Sequence, residues 1–92
     1  AIKDAIRKLE PCKEEVVVMD AGCGAIPIMG IYAAMNSKKV KCTCIEINPN
    51  ACNIAKKIVK NLGLEDQIEV IMKDAITYKP EKELDLLISE TM

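Results

Sequence analysis

Four acidic residues stand near the ends of apolar runs: Asp20 in VVVMD, Glu46 in VKCTCIEI, Asp74 in QIEVIMKD and Glu90 in LDLLISE. Asp20 leads into AGCG, where Gly22 and Gly24 let the backbone turn sharply and approach a ligand without Cβ clashes. A helix starting just beyond would present free N–H groups to whatever sits there. Glu46 closes the next apolar run, about 20 residues on, where a carboxylate can accept hydrogen bonds from both hydroxyls of a ribose. An acid embedded in so apolar a stretch usually has a partner. The Asp74 carboxylate could accept from an exocyclic amine while the Ala75 N–H meets a ring nitrogen, a pair of contacts that reads adenine. Glu90 could bind a cationic group. Plainer readings exist for each: a glycine-rich strand-to-helix turn, a solvated strand end, and an aspartate that merely starts a turn.

The remaining composition removes other chemistries. The chain has 92 residues and no histidine, which excludes His metal sites, His general bases and Ser-His or Cys-His nucleophile pairs. Five cysteines, at 12, 23, 42, 44 and 52, are an odd count for a disulfide scaffold. C-x-C at 42 and 44 has no second cluster to complete a zinc site, so no metal is expected. Those two cysteines read instead as small buried hydrophobes on one face of a strand. Reduced thiols fit an intracellular, cytoplasmic protein. A net charge of −1 gives no basic surplus for nucleic acid or an anionic membrane. No apolar run approaches the ~20 residues that span a bilayer. The first fifteen residues carry charges throughout, unlike a signal peptide.

The elements that would position these residues follow from periodicity. Apolar residues at 2, 5, 6 and 9 predict a helix over 1–9, ended by Pro11. VVVMD (16–20) reads as a strand buried on both faces. Pro27 suits the first turn of a helix over 26–36. A second strand over 40–47 is broken by Asn48 and Pro49, and a helix over 49–61 ends at Asn61 and Gly63. Residues 67–74 alternate as a third strand, 74–83 form a loop with Pro80, and 84–89 form a fourth strand. Strands alternating with helices predict an α/β fold, a parallel sheet with helices on its faces. The expected strand order is 3-2-1-4, half of a doubly wound sheet truncated to about four strands, within one domain spanning 1–92. Ligands of such sheets bind at the carboxyl ends of the strands, where the four acids lie.

VVVMDAGCG, IEINPN, KDAIT and LDLLISE, in this order and spacing, resemble the motifs of class I S-adenosylmethionine-dependent methyltransferases, which have a Rossmann-like fold. The ISETM ending is similar to that of protein arginine methyltransferases, where a Ser-Glu-x-Met segment opens a loop with two glutamates that hold a guanidinium. The resemblance implies that Asp20, Gly22 and Gly24 line the methionine portion of S-adenosylmethionine. It implies that Glu46 binds the ribose, that Asp74 and Ala75 contact the adenine, and that Glu90, the first of those two glutamates, is the catalytic residue that orients the acceptor. The acceptor stays open between a small molecule and a protein side chain. Ile26 stands where the family often has a third glycine, and the aromatic helix of arginine methyltransferases is not visible.

Two other readings compete. A nicotinamide-dinucleotide fold would want Gly or Ala where Pro27 stands. A binding or association fragment would do no chemistry alone. In the order 3-2-1-4 the strand over 84–89 is an edge, a template for self-association or for pairing with a missing C-terminal half.

Overall fold

The structure, a computed structural model, describes residues 2–9, 11 and 14–89. Its elements run α1 (Ile2–Leu9), β1 (Val16–Ala21), α2 (Ile28–Asn36), β2 (Val40–Glu46), α3 (Pro49–Asn61), β3 (Ile68–Met72) and β4 (Leu86–Ser89). The four strands form one sheet in the order β3-β2-β1-β4, and every pairing is parallel. This is the expected α/β, Rossmann-like half-sheet. Cys12 and Glu90 lie outside the described residues.

Among the described residues, helices cover one face of the sheet rather than both. Val16, Val18 and Asp20 stand level with Val40, Cys42 and Cys44, and the last two stand level with Ile68 and Val70. The apolar members of this face share one buried cluster with Ile6 of α1, Ala33 and Ala34 of α2, and Cys52, Ala55 and Val59 of α3. The reason is topological. The crossovers β1 to β2 and β2 to β3 step the same way across the sheet, so right-handed connections fall on the same face. Only the step from β3 back past β1 to β4 reverses, and its connection lies on the other side. There Tyr78, Pro80 and Leu84 line a cavity of about 570 Å³ together with Val17, Met19, Thr43 and Ile71 of the opposite face.

Local chemistry sets the boundaries. Asn48 caps α3, accepting from the N–H groups of Asn50 (2.9 Å) and Ala51 (3.1 Å), with Pro49 as the first helical residue. So the Asn-Pro pair starts a helix as well as ending a strand. At the far end Gly63 takes φ 70°, and the Leu64 and Gly63 amides return to the carbonyls of Val59 and Lys60. That is a Schellman closure, as Asn61 and Gly63 suggested. Strand β4 starts at Leu86, not at residue 84. Asp85 accounts for the difference. Its side chain accepts from the Val17 N–H at 2.8 Å, in place of a strand carbonyl. Its own N–H donates to the Val17 carbonyl at 2.8 Å.

Helix α2 carries no capping side chain, because Pro27 holds its N-cap position. Both of its ends are held from elsewhere. Asp20 of β1 accepts from the Gly30 N–H at 3.2 Å. The Gln67 amide Nε2 lies 3.1, 2.8 and 3.1 Å from the carbonyls of Ala34, Ser37 and Val40. Between these anchors α2 presses directly onto the sheet. A Cβ at Gly30 would stand 3.1 Å from the Sγ atoms of Cys42 and Cys44 and 3.3 Å from Asp20 Oδ2.

Gly30→Ala therefore sets two effects against each other. Alanine gains ~1 kcal/mol of helix propensity over glycine, while overpacking a tight core costs ~1–3 kcal/mol. The expected outcome is a net loss of stability in urea denaturation. A variant more stable than the parent would show that α2 can lift off the thiols without cost.

Candidate functional site

Parallel pairing brings the carboxyl ends of all four strands to one edge, with Ala21 level with Ile45 on one side and with Ser89 on the other. Beyond β1 the chain turns at once. The Gly22 and Cys23 amides both donate to the Ile45 carbonyl, at 2.8 and 3.2 Å. Gly22 and Gly24 take φ of 72° and 70°, the left-handed region that side chains disfavour. Nothing lies within 4 Å of where a Cβ on Gly24 would be. Gly24 is therefore a glycine for backbone conformation, and the space above it is open to a ligand.

Glu46 is where the site's elements meet. Its Oε1 accepts from the Gly24 N–H at 2.9 Å and its Oε2 from the Asn48 N–H at 3.0 Å. Its backbone carbonyl accepts from the Lys73 N–H (3.1 Å) and from the Cys52 thiol (3.1 Å). One residue thus ties together the loop after β1, the start of α3 and the chain leaving β3. A carboxylate offers about four acceptor positions, so two remain for a ligand. The side chain is only partly buried, which leaves them reachable.

Asp20 is placed differently. It is fully buried, and its Oδ2 receives the amide of the third residue of α2. That is the bond an ordinary N-cap side chain would accept, at the positive end of the helix dipole. Asp20 shapes the floor of the site and offers no exposed surface to a ligand. Asp74 follows β3 and is exposed; its Oδ1 accepts from the Ile76 N–H at 2.9 Å, while its carbonyl accepts from the Thr77 and Tyr78 amides. It organises a turn, with Ala75 inside it and half-buried. The Lys73–Glu46 bond brings this turn up beside Glu46. Glu90 lies outside the described residues.

Beneath the loop lie four buried, free thiols: Cys23, Cys42, Cys44 and Cys52. The Cys42 and Cys44 sulfurs are 3.9 Å apart. Hydrogen bonding to Cys44, reinforced by burial, pushes the Cys23 thiol far above its ordinary range. At Cys44 the bond from Cys23 acts downward, but bonding to Cys42 and burial outweigh it and the thiol is also raised. Burial raises Cys52. Thiols held neutral in this way are poor nucleophiles. Among the described residues, no group of three or more acidic, Cys or His side chains is arranged to hold a metal ion. No helix there is long and apolar enough to cross a membrane.

The site residues that sequence reasoning passed over are Gly30, Asn48, Cys52 and Gln67. Only Asn48 carried a signal, since asparagine before proline at a helix start is a capping pattern. The cavity on the sheet face under Tyr78 and Pro80 is not at this site.

The PRMT5 arginine-N-methyltransferase family profile matches residues 1–92. Protein arginine N-methyltransferase 5 of Drosophila melanogaster is 28% identical over 95 residues, covering 100% of this chain and 16% of that protein. An uncharacterized protein of Methanocaldococcus jannaschii is 36% identical over 90 residues, covering 98% of this chain and 32% of that protein. The chain thus spans only a part of each curated relative. Among solved structures, the Trypanosoma brucei PRMT1 enzyme-prozyme heterotetrameric complex with AdoHcy is similar, with a TM-score of 0.77 and 28% identity. That match covers 97% of this chain and 27% of the other. The METTL16 MTase domain matches in fold, with a TM-score of 0.75 and 22% identity over 96% of this chain and 36% of that one.

Two expected outcomes follow from the geometry. At a solvated strand end, Glu46→Gln would leave the fold untouched. With both oxygens on backbone amides, it should instead cost about 1–2 kcal/mol, because an NH₂ group cannot accept from one of them. Urea denaturation measures this, and an unchanged midpoint would contradict the two bonds. The thiols give a pH dependence. A group whose folded pKa is raised contributes stability below its unfolded pKa and loses it as pH rises. The ordinary thiol value is 9.0, so stability should fall as pH climbs past about 9. Replacing Cys23 with alanine should flatten that limb of the stability curve.

Proposed function

The chain belongs to the PRMT5 arginine-N-methyltransferase family, and we propose that it forms the S-adenosylmethionine-binding part of an enzyme that methylates arginine side chains. The observation that carries the reading is the Glu46 carboxylate, fixed by two amides beside two left-handed glycines at the strand ends. The residues present fit the cofactor. Glu46 keeps acceptor capacity for two ribose hydroxyls. Gly24 leaves open space for the methionine portion, with Gly22 turning the chain beneath it. Asp20 fixes that loop from below through α2. Asp74 and Ala75, beside Glu46, are the adenine contacts. The turn at Asp74 leaves its second carboxylate oxygen, Oδ2, for an exocyclic amine.

Bound there, S-adenosylmethionine supplies a methyl group already activated on a sulfonium. The protein's task is then positional: to hold the donor still, exclude water and align the acceptor nitrogen. Glu90 follows β4 directly in the sequence. Its carboxylate is proposed to pair with the acceptor guanidinium and orient one nitrogen. The reduced thiols support a cytoplasmic setting. The β4 edge, with Leu87 more than half exposed, is proposed to take a further strand or a second copy.

Calorimetric titration tests the cofactor assignment. S-adenosylhomocysteine should bind, and Glu46→Gln should weaken it by about 1.5–3 kcal/mol. NAD should not bind, because Pro27 stands where a dinucleotide fold packs a small residue. Tighter binding of NAD would overturn the reading in favour of a dinucleotide site. For the acceptor, mass spectrometry of an arginine peptide incubated with S-adenosylmethionine and the enzyme should show methylation. Transfer only to a small-molecule acceptor would refute the arginine assignment while leaving the cofactor site standing.

A further inference from the structure

We infer that Asn48 is a positioning residue for the ligand carboxylate, a role that rests on reading Glu46 as the ribose acceptor. Asn48 makes two sets of bonds at once. Its side-chain oxygen accepts from the Asn50 and Ala51 amides at 2.9 and 3.1 Å, which locks it as the N-cap of α3 with φ −79° and ψ 118°. In that conformation its own N–H donates back to Glu46 Oε2 at 3.0 Å. The cap is fixed from both sides. Pro49 restricts the backbone ahead of it, and the Asn48 carbonyl accepts from the Cys52 N–H at 3.0 Å. The Cys52 thiol in turn holds the Glu46 carbonyl at 3.1 Å.

A glutamate has three rotatable bonds, and an exposed one samples them all. Here Gly24 holds one oxygen and Asn48 the other, from two different elements, so the plane of the carboxylate is set before any ligand arrives. Each oxygen holds one amide and keeps one further acceptor position, which suits two adjacent hydroxyls rather than one. Of the two restraints, the Gly24 amide sits in a loop and the Asn48 amide on a capped helix. The cap is therefore the firmer one. Ordering that would otherwise oppose binding is completed during folding.

A double-mutant cycle read by titration with S-adenosylhomocysteine tests this, with the folded fraction followed by urea denaturation. Asn48→Ala should weaken binding by about fivefold to tenfold, whereas Asn48→Ser, which also caps helices, should stay within about twofold of the parent. Asn48→Gly serves if the alanine variant does not fold, since glycine is tolerated at N-caps but does not lock the backbone. In a Glu46→Gln background the same change should have less than about a twofold further effect. A cap that only stabilised α3 would weaken binding equally in both backgrounds, and that result would overturn the inference. So would unchanged affinity in Asn48→Ala when Glu46→Gln binds weakly. If Glu46→Gln binds as well as the parent, it is the ribose reading that fails.

Discussion

An acid with no contact with water lies at the next-to-last residue of β1 and receives the amide of the third residue of α2. Burying such a group is costly unless hydrogen bonds and a favourable field replace its hydration. The start of a helix supplies both. Helix α2 needs the bond as much as Asp20 does, because Pro27 cannot cap it. The nine residues between Asp20 and Gly30 therefore run between two ends that are bonded to each other. A loop closed so tightly has few conformations. It is this loop, through Gly24, that meets the Glu46 carboxylate. Removing the Asp20–Gly30 bond would free the helix start, the loop and one of the two supports of Glu46 together.

The chain's alternation of apolar runs and helical stripes was enough to read the strand order, because right-handed crossovers leave few alternatives. The ends of elements were harder to read. Asp85 looks in the sequence like one polar residue inside LDLLIS, yet its side chain occupies a ladder position and defers the strand to Leu86. Gln67 looks like the first residue of a strand, yet it bridges three carbonyls of segments that precede it by about thirty positions. No local pattern encodes such a bond, since its partners are set only once β3 lies beside β2.

The candidate site divides in the same way. Glu46 was legible because a charge in an apolar strand end calls for partners. The glycines were legible because few other residues turn so sharply. What the sequence hides is that both oxygens of Glu46 hold the protein's own amides, so that it is at once a support of the fold and a proposed ligand group. Asp20 shows the converse. Its place at a strand end suggested contact with a ligand, whereas burial turns it toward the helix that the ligand would face. Spacing alone cannot separate these roles, because both put an acid at the carboxyl end of a strand.

The cysteines follow from the same constraint. For Asp20 to reach the Gly30 amide, α2 must lie close to β1 and β2, and the layer between them must be thin. Gly30, Ala33 and Ala34 thin it from the helix side. Cys42 and Cys44 thin it from the sheet side, being smaller than the valines at Val16 and Val40 that fill the other end of the face. Alanine at 42 and 44 would leave voids under the helix, and serine would bury hydroxyls that need partners. A thiol fills the space and bonds weakly to its neighbour, as the Cys42–Cys44 contact shows. The four described cysteines are thus accounted for by helix-to-sheet distance at Cys42 and Cys44, and by bonds to the loop and strand end at Cys23 and Cys52.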